Sequence, residues 1–264
     1  MNVLFDNKIL NATISAENAN DSYPVANLQS DYLKQRFQST ESSDKITITF
    51  NEPTDISCLF WGWTNMTSMT VTFYDDVGVQ IDKIYFSGGN VGHYYGYDSS
   101  YYGYDDYYYG YYDRTSELVY NVVSWYFPTI SVSSMTVELE SDDTVFLGGI
   151  AAGEAYEMKN PEEEWDEGWK DLSIVTESDS GQVTQLYNEP LRVYNWTIPG
   201  LNRREMNEVL ELYRLHGKGA HIWVDPFQKN HEFLTPLYAT IDEPVKASKS
   251  GYNYSYNFDI RESK

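Results

Sequence analysis

"KITITF" (Lys45–Phe50) switches between polar and apolar residues at every step. That is the period of a strand with one buried face. "MTVTFYD" (Met69–Asp75) and "MTVELE" (Met135–Glu140) repeat the pattern, and β-branched residues fill all three. Turn signals lie between them at Asn51-Glu52-Pro53, Asp75-Asp76 and Ser87-Gly88-Gly89. Many short strands at modest spacing predict a β-sandwich. "YPVANLQSDYLKQRFQST" (Tyr23–Thr40) reads as an irregular loop with a short helical turn, followed by a strand. No long helix is expected before residue 150.

The second half has a different rhythm. "RVYNWTI" alternates as a strand does. Asn202 with Glu205 makes a capping box, and Met206, Val209, Leu210 and Tyr213 recur at helical spacing. Gly217 stops the helix, which is expected over 202–216. "HIWVDPF", "PLYATI" and "YNYSYNFDI" are further strands. Strand, helix and several strands predict a small β-barrel with one packed helix over 182–264. Before it, "NPEEEWDEGWKD" (Asn160–Asp171) reads as an acidic, solvated connector within 151–181. "GGIAAGEA" (Gly148–Ala155) lacks bulky side chains and reads as a hinge between the two units.

Composition bounds the function. The chain has 264 residues, 41% of them hydrophobic, enough for a real core. Its net charge of −22 argues against tight binding to nucleic-acid phosphates. No apolar run reaches the roughly 18 residues of a membrane span, and the start, Met1–Leu10, does not read as a signal peptide. Cys58 is the one cysteine, so no intrachain disulfide forms; it reads as a small buried apolar side chain. No GxSxG elbow, Walker loop or HExxH motif is present. His216 and His221 lie five apart across a helix exit rather than on one helical face, which does not suit a zinc pair. No enzyme, no cofactor and no metal is expected.

The Asn27-Leu28, Asp31 and Arg36-Phe37-Gln38-Ser39 loop resembles that of galactose-binding-like jelly rolls of the discoidin type, in which an aromatic residue sits where Phe37 does. "WYFP", the alternating strand after it and "VFLGGI" are similar to the last strands of that fold. The resemblance covers residues 1–150. It implies a jelly-roll β-sandwich, glycan binding through loops at one end, and in some members a structural calcium near the loop that contains Asp31. Asn27, Arg36 and Trp125 are the candidates for glycan contact.

The strand around Trp196, "RREMNEVLELYRLHGKG", "IWVDP" and "YNYSYNFDIRE" resemble the barrel domain of tailed-phage minor and distal tail proteins, over 182–264. Here the sandwich comes first and the barrel second, the reverse of the better-known distal tail order. The resemblance implies a structural protein of a virion tail, made in the host cytoplasm. Such a protein forms a homo-oligomeric ring and touches other tail, fibre or adaptor proteins. The alternative from another class is an adhesin that engages host glycan.

One segment belongs to neither pattern. "HYYGYDSSYYGYDDYYYGYYDR" (His93–Arg114) holds Tyr94, Tyr95, Tyr97, Tyr101, Tyr102, Tyr104, Tyr107, Tyr108, Tyr109, Tyr111 and Tyr112. Gly96, Gly103 and Gly110 are seven apart, the mark of a tandem repeat. An odd period sends successive repeats to opposite faces of a strand, so no clean buried face can form. The stretch 93–113 reads as an insertion that protrudes from the sandwich. Its rings suit contact with a neighbouring subunit or with host sugar; a slipped repeat without consequence is the plain alternative. Four aspartates and no Lys or Arg between His93 and Asp113 disfavour single-stranded nucleic acid.

Overall fold

The structure, a computed structural model, describes residues 1–87, 122–161, 166–171, 174–177, 183–186, 191–217, 219–226, 236–241, 246–250 and 253–263. The fold is mainly β, a sandwich of antiparallel sheets with one α-helix, consistent with a jelly roll. Its first eight strands are β1 (Asn2–Leu4), β2 (Thr13–Ala16), β3 (Phe37–Gln38), β4 (Ser43–Thr64), β5 (Ser68–Tyr74), β6 (Gln80–Ser87), β7 (Val122–Glu140) and β8 (Phe146–Gly153).

The three alternating stretches are direct neighbours, in the order β4–β7–β5. Ile48 stands opposite Met135, and Met135 opposite Phe73; Ile46, Val137 and Val71 form the next row. All six are fully buried, so period two has put one complete face into the core. Thr47, Thr136 and Thr72 form the matching row on the other face. β4 and β7 are long because each serves twice. Their ladder shifts register between Thr49 and Thr54 and then continues; past that point β4 also pairs with β8, and β8 with β3. The two layers enclose one cluster in which Ile46 and Val71 meet Leu59, Trp61 and Ile150.

The later strands are β9 (Tyr156–Glu157), β10 (Asp166–Lys170), β11 (Ile174–Glu177), β12 (Val183–Leu186), β13 (Leu191–Leu201), β14 (His221–Asp225), β15 (Leu237–Ile241), β16 (Lys246–Ser250) and β17 (Asn253–Glu262). β11 and β12 pair with each other. The main sheet runs β10-β13-β17-β15-β14-β1-β9, with β16 also on β17. No ladder joins its two ends among the described residues. Tyr194, Trp196, Phe258 and Ile260 are buried in its core. The helix α1 (Arg203–His216) begins at Asn202, whose side chain accepts from the backbone of Arg204 and Glu205 while Glu205 bonds back to Asn202. That is the expected capping box. Val209 is the helix residue most deeply buried in this core.

Three expectations change. The chain start does not belong to the sandwich: β1 lies between β14 and β9, and Met1 is buried in the second core. Gly148–Ala155 is not a hinge, because Phe146–Gly153 is a strand buried along its whole length. Its small residues are there because other elements press on them. A Cβ on Gly153 would lie 2.7 Å from the Asp6 carbonyl and 2.8 Å from Leu4 Cδ1; one on Gly149 would lie 2.4 Å from Leu33 Cδ2 and 3.1 Å from Trp223 Cη2. The acidic stretch is not a free connector either, since Asp166–Lys170 pairs with Leu191–Asn195. The tyrosine-rich stretch 93–113 lies outside the described residues.

Candidate functional site

The loop from Tyr23 to Gln38 carries two of the three glycan-contact candidates. Pro24 opens a 3₁₀ turn over Val25–Gln29, and buried Leu28 anchors that turn in the sandwich core. Gln29 Nε2 donates to the carbonyls of Ile9 and Ala12. Asn27 Nδ2 donates to the Arg36 carbonyl at 2.9 Å, and the Gln38 amide donates to the Tyr23 carbonyl. These bonds close the loop on itself, so Asn27 positions Arg36 from behind.

The Arg36 guanidinium lies 4.6 Å from the centre of the Phe146 ring and 5.4 Å from that of Tyr23. Both distances are within cation–π range. Its Nη2 donates to Gln38 Oε1 at 3.3 Å, and Gln38 Nε2 donates to Thr144 Oγ1. Tyr23 is exposed, whereas Phe146 is buried beneath the guanidinium. The result is a fixed face made of one cation, one exposed phenol ring and one amide. Phe37 is fully buried and holds the loop down.

Trp125 is not part of this face. It pairs with Leu59 on β4, whereas β3 reaches β4 only through β8, at Leu147 and Thr64. Three strand spacings give about 14 Å across the sheet, and Leu59 to Thr64 adds about 17 Å along it. Trp125 is 42% exposed and stands edge-on to Phe86, which packs on Trp61. The tyrosines from Tyr94 to Tyr112 lie outside the described residues. The sequence reading missed Tyr23, Gln38 and Phe146. Tyr23 and Gln38 sat in the quoted loop, but the contact of Arg36 with Phe146 joins distant strands and has no local signal.

The back of the same loop meets the second sheet. The Tyr238 hydroxyl donates to the Asp31 carbonyl at 3.0 Å, and Tyr32 stands edge-on to His221. Leu4, Cys58, Phe60, Ala151, Trp223 and Tyr238 form one buried cluster across the junction. Ser124 of β7 donates to buried Asp225 of β14 at 2.7 Å. Cys58 is fully buried, as expected; burial pushes its thiol up to about 12, which removes any nucleophilic thiolate at neutral pH. Burial holds His221 below the usual imidazole range, against a smaller upward pull from Asp31. Among the described residues no three His, Cys, Asp or Glu side chains are grouped to hold a metal.

No protein-family model matches the chain, and no curated protein matches it. Among solved structures the chain is similar to a chitosan-binding module of a chitosanase/glucanase from Paenibacillus sp. IK-5, at 12% identity over 58% of this chain and 99% of that one, TM-score 0.38. It is similar to the lectin domain of lectinolysin complexed with Lewis B antigen, at 6% identity over 58% and 100%, TM-score 0.41. It is also similar to a Streptococcus pneumoniae fucose binding module, at 8% identity over 56% and 94%, TM-score 0.39. Likeness at this level does not identify a family.

Proposed function

We propose that the chain is a non-enzymatic carbohydrate-binding protein and that the Tyr23–Arg36–Gln38 face takes the sugar. The observation that carries this reading is the convergence of an exposed ring, a guanidinium and an amide on one closed loop. A sugar ring offers an apolar face that stacks on a phenol and a rim of hydroxyls that pairs with polar groups. Arg36 has five N–H donors in a planar fork and spends one on Gln38 among the described residues. Asn27 serves by fixing the Arg36 backbone.

A glycan array probed with the full chain tests this. The expected result is retention on a restricted set of glycans, lost in Arg36→Ala. An array with no retained glycan, or one unchanged by Arg36→Ala, contradicts the reading.

A second reading, a ring-forming virion tail component with tail or fibre partners, rests on the sequence resemblance and one structural observation. Among the described residues β6 ends the strand order of its sheet and exposes Ile81 and Tyr85, next to exposed Val77 and Val79 in the preceding turn. Apolar side chains on an edge strand are a ready contact for another subunit. Sedimentation and electron microscopy of the full chain separate the readings: closed rings support the tail role, whereas a monomer at high concentration counts against it.

A further inference from the structure

We infer that the cleft between the sandwich and the second sheet is a second binding site, shaped for one neutral, hydroxyl-bearing ring such as a single sugar unit. It does not depend on the Arg36 face. The cleft holds about 270 Å³. One wall comes from the sandwich side, with Ser30 and Asp31; the other is the exit of α1, with His216 and His221. The ring of Phe5 stacks on His216 at 5.4 Å, and Trp223 and Tyr238 pack together at 4.6 Å behind His221. At the floor there is no slack, because even a Cβ on Gly149 would collide with Leu33.

The lining selects the ligand by exclusion and by match. Ligand sites for drug-sized molecules span roughly 300–1,000 Å³, so this volume suits one ring and not a chain of them. An anion is disfavoured by the Asp31 carboxylate and by a net charge of −22. A metal ion lacks the three grouped ligands it would need among the described residues. What is present is an aromatic wall beside groups that can both donate and accept. A neutral imidazole offers one of each, a carboxylate accepts, and a serine hydroxyl does both. Burial lowers His221 from the usual imidazole range, which favours its neutral form. Such a set matches vicinal hydroxyls around an apolar ring face. Junctions between structural units are also where such clefts commonly serve as sites.

The test uses the full chain and three probes: D-galactose, L-fucose and N-acetyl-D-glucosamine. The ring signals of His216 and His221 are followed by NMR during titration, with affinity from calorimetry. At least one sugar should move both signals saturably. His216→Ala and Asp31→Asn should each weaken the binding that moves these two signals by about tenfold or more. Circular dichroism checks the fold of each variant, and Asp31→Asn, on an exposed side chain, keeps the test alive should His216→Ala misfold. If no sugar moves the two signals, or if both cleft variants bind as tightly as the parent, the cleft is not a site. Loss of binding in Arg36→Ala alone would overturn this inference while supporting the outer face.

Discussion

Tyr238 donates its hydroxyl to the carbonyl of Asp31 across the junction of the two halves, at 3.0 Å. Asp31 lies in the loop that ends at Arg36, so the second sheet braces the candidate sugar-binding face from behind. Removing the hydroxyl should cost about 1 kcal/mol. Tyr238→Phe is therefore expected to remain folded, with a slightly lower denaturant midpoint and faster amide exchange over residues 30–36. Exchange identical to the parent would mean that the loop does not need the brace.

The place of β1 predicts how the chain can be cut. A fragment of residues 151–264 lacks the strand that lies between β14 and β9. It also exposes the buried faces of Trp223 and Tyr238. Such a fragment should be insoluble or unfolded. The full chain should melt in one cooperative transition. Two separated transitions in calorimetry would show that the junction contributes little.

The small residues of β8 should be intolerant. In Gly153→Ala the new methyl meets the Asp6 carbonyl at 2.7 Å, and backbone cannot swing aside as a side chain can. The expected loss is about 1–3 kcal/mol in urea unfolding, the usual cost of overpacking. A variant as stable as the parent would mean that β1 and its following turn are only loosely seated.

Alkaline pH should destabilise the fold, beginning with Cys58. Its thiol is pushed up to about 12 in the folded chain, from an ordinary value of 9.0. Between these values the unfolded chain has lost the proton and the folded chain retains it. Stability is therefore fully present below about pH 9 and falls as pH rises towards 12, by up to about 1.4 kcal/mol per unit for one group. Half-buried Tyr126 and buried Tyr238, both raised chiefly by loss of solvent around the hydroxyl, act in the same direction. Urea midpoints should stay level from pH 8 to 9 and fall from pH 9 to 11, and the fall should be shallower in Cys58→Ala. Equal slopes would remove Cys58 from the account.

Much of this fold could be read from the sequence because its signals are local. Period two in Lys45–Phe50, Met69–Asp75 and Met135–Glu140 was sufficient to name three strands, and Asn202 with Glu205 was sufficient to start the helix. Small residues were misread for a physical reason. A run such as Gly148–Gly153 looks the same whether nothing packs on it or a second sheet does, and only the approach of Leu4 and Trp223 separates the two cases. A three-residue strand like Asn2–Leu4 is too short to show a period at all. At the candidate site, Asn27 and Arg36 were legible as neighbours in one loop. Their separation from Trp125 was not, because it depends on strand order and register.

The most direct test of the sugar-binding reading is a crystal structure of the full chain with the glycan that an array selects. The account predicts a sugar ring stacked on Tyr23, with hydroxyls within hydrogen-bonding distance of Arg36 and Gln38. A glycan bound elsewhere, with Tyr23 and Arg36 untouched, would contradict it.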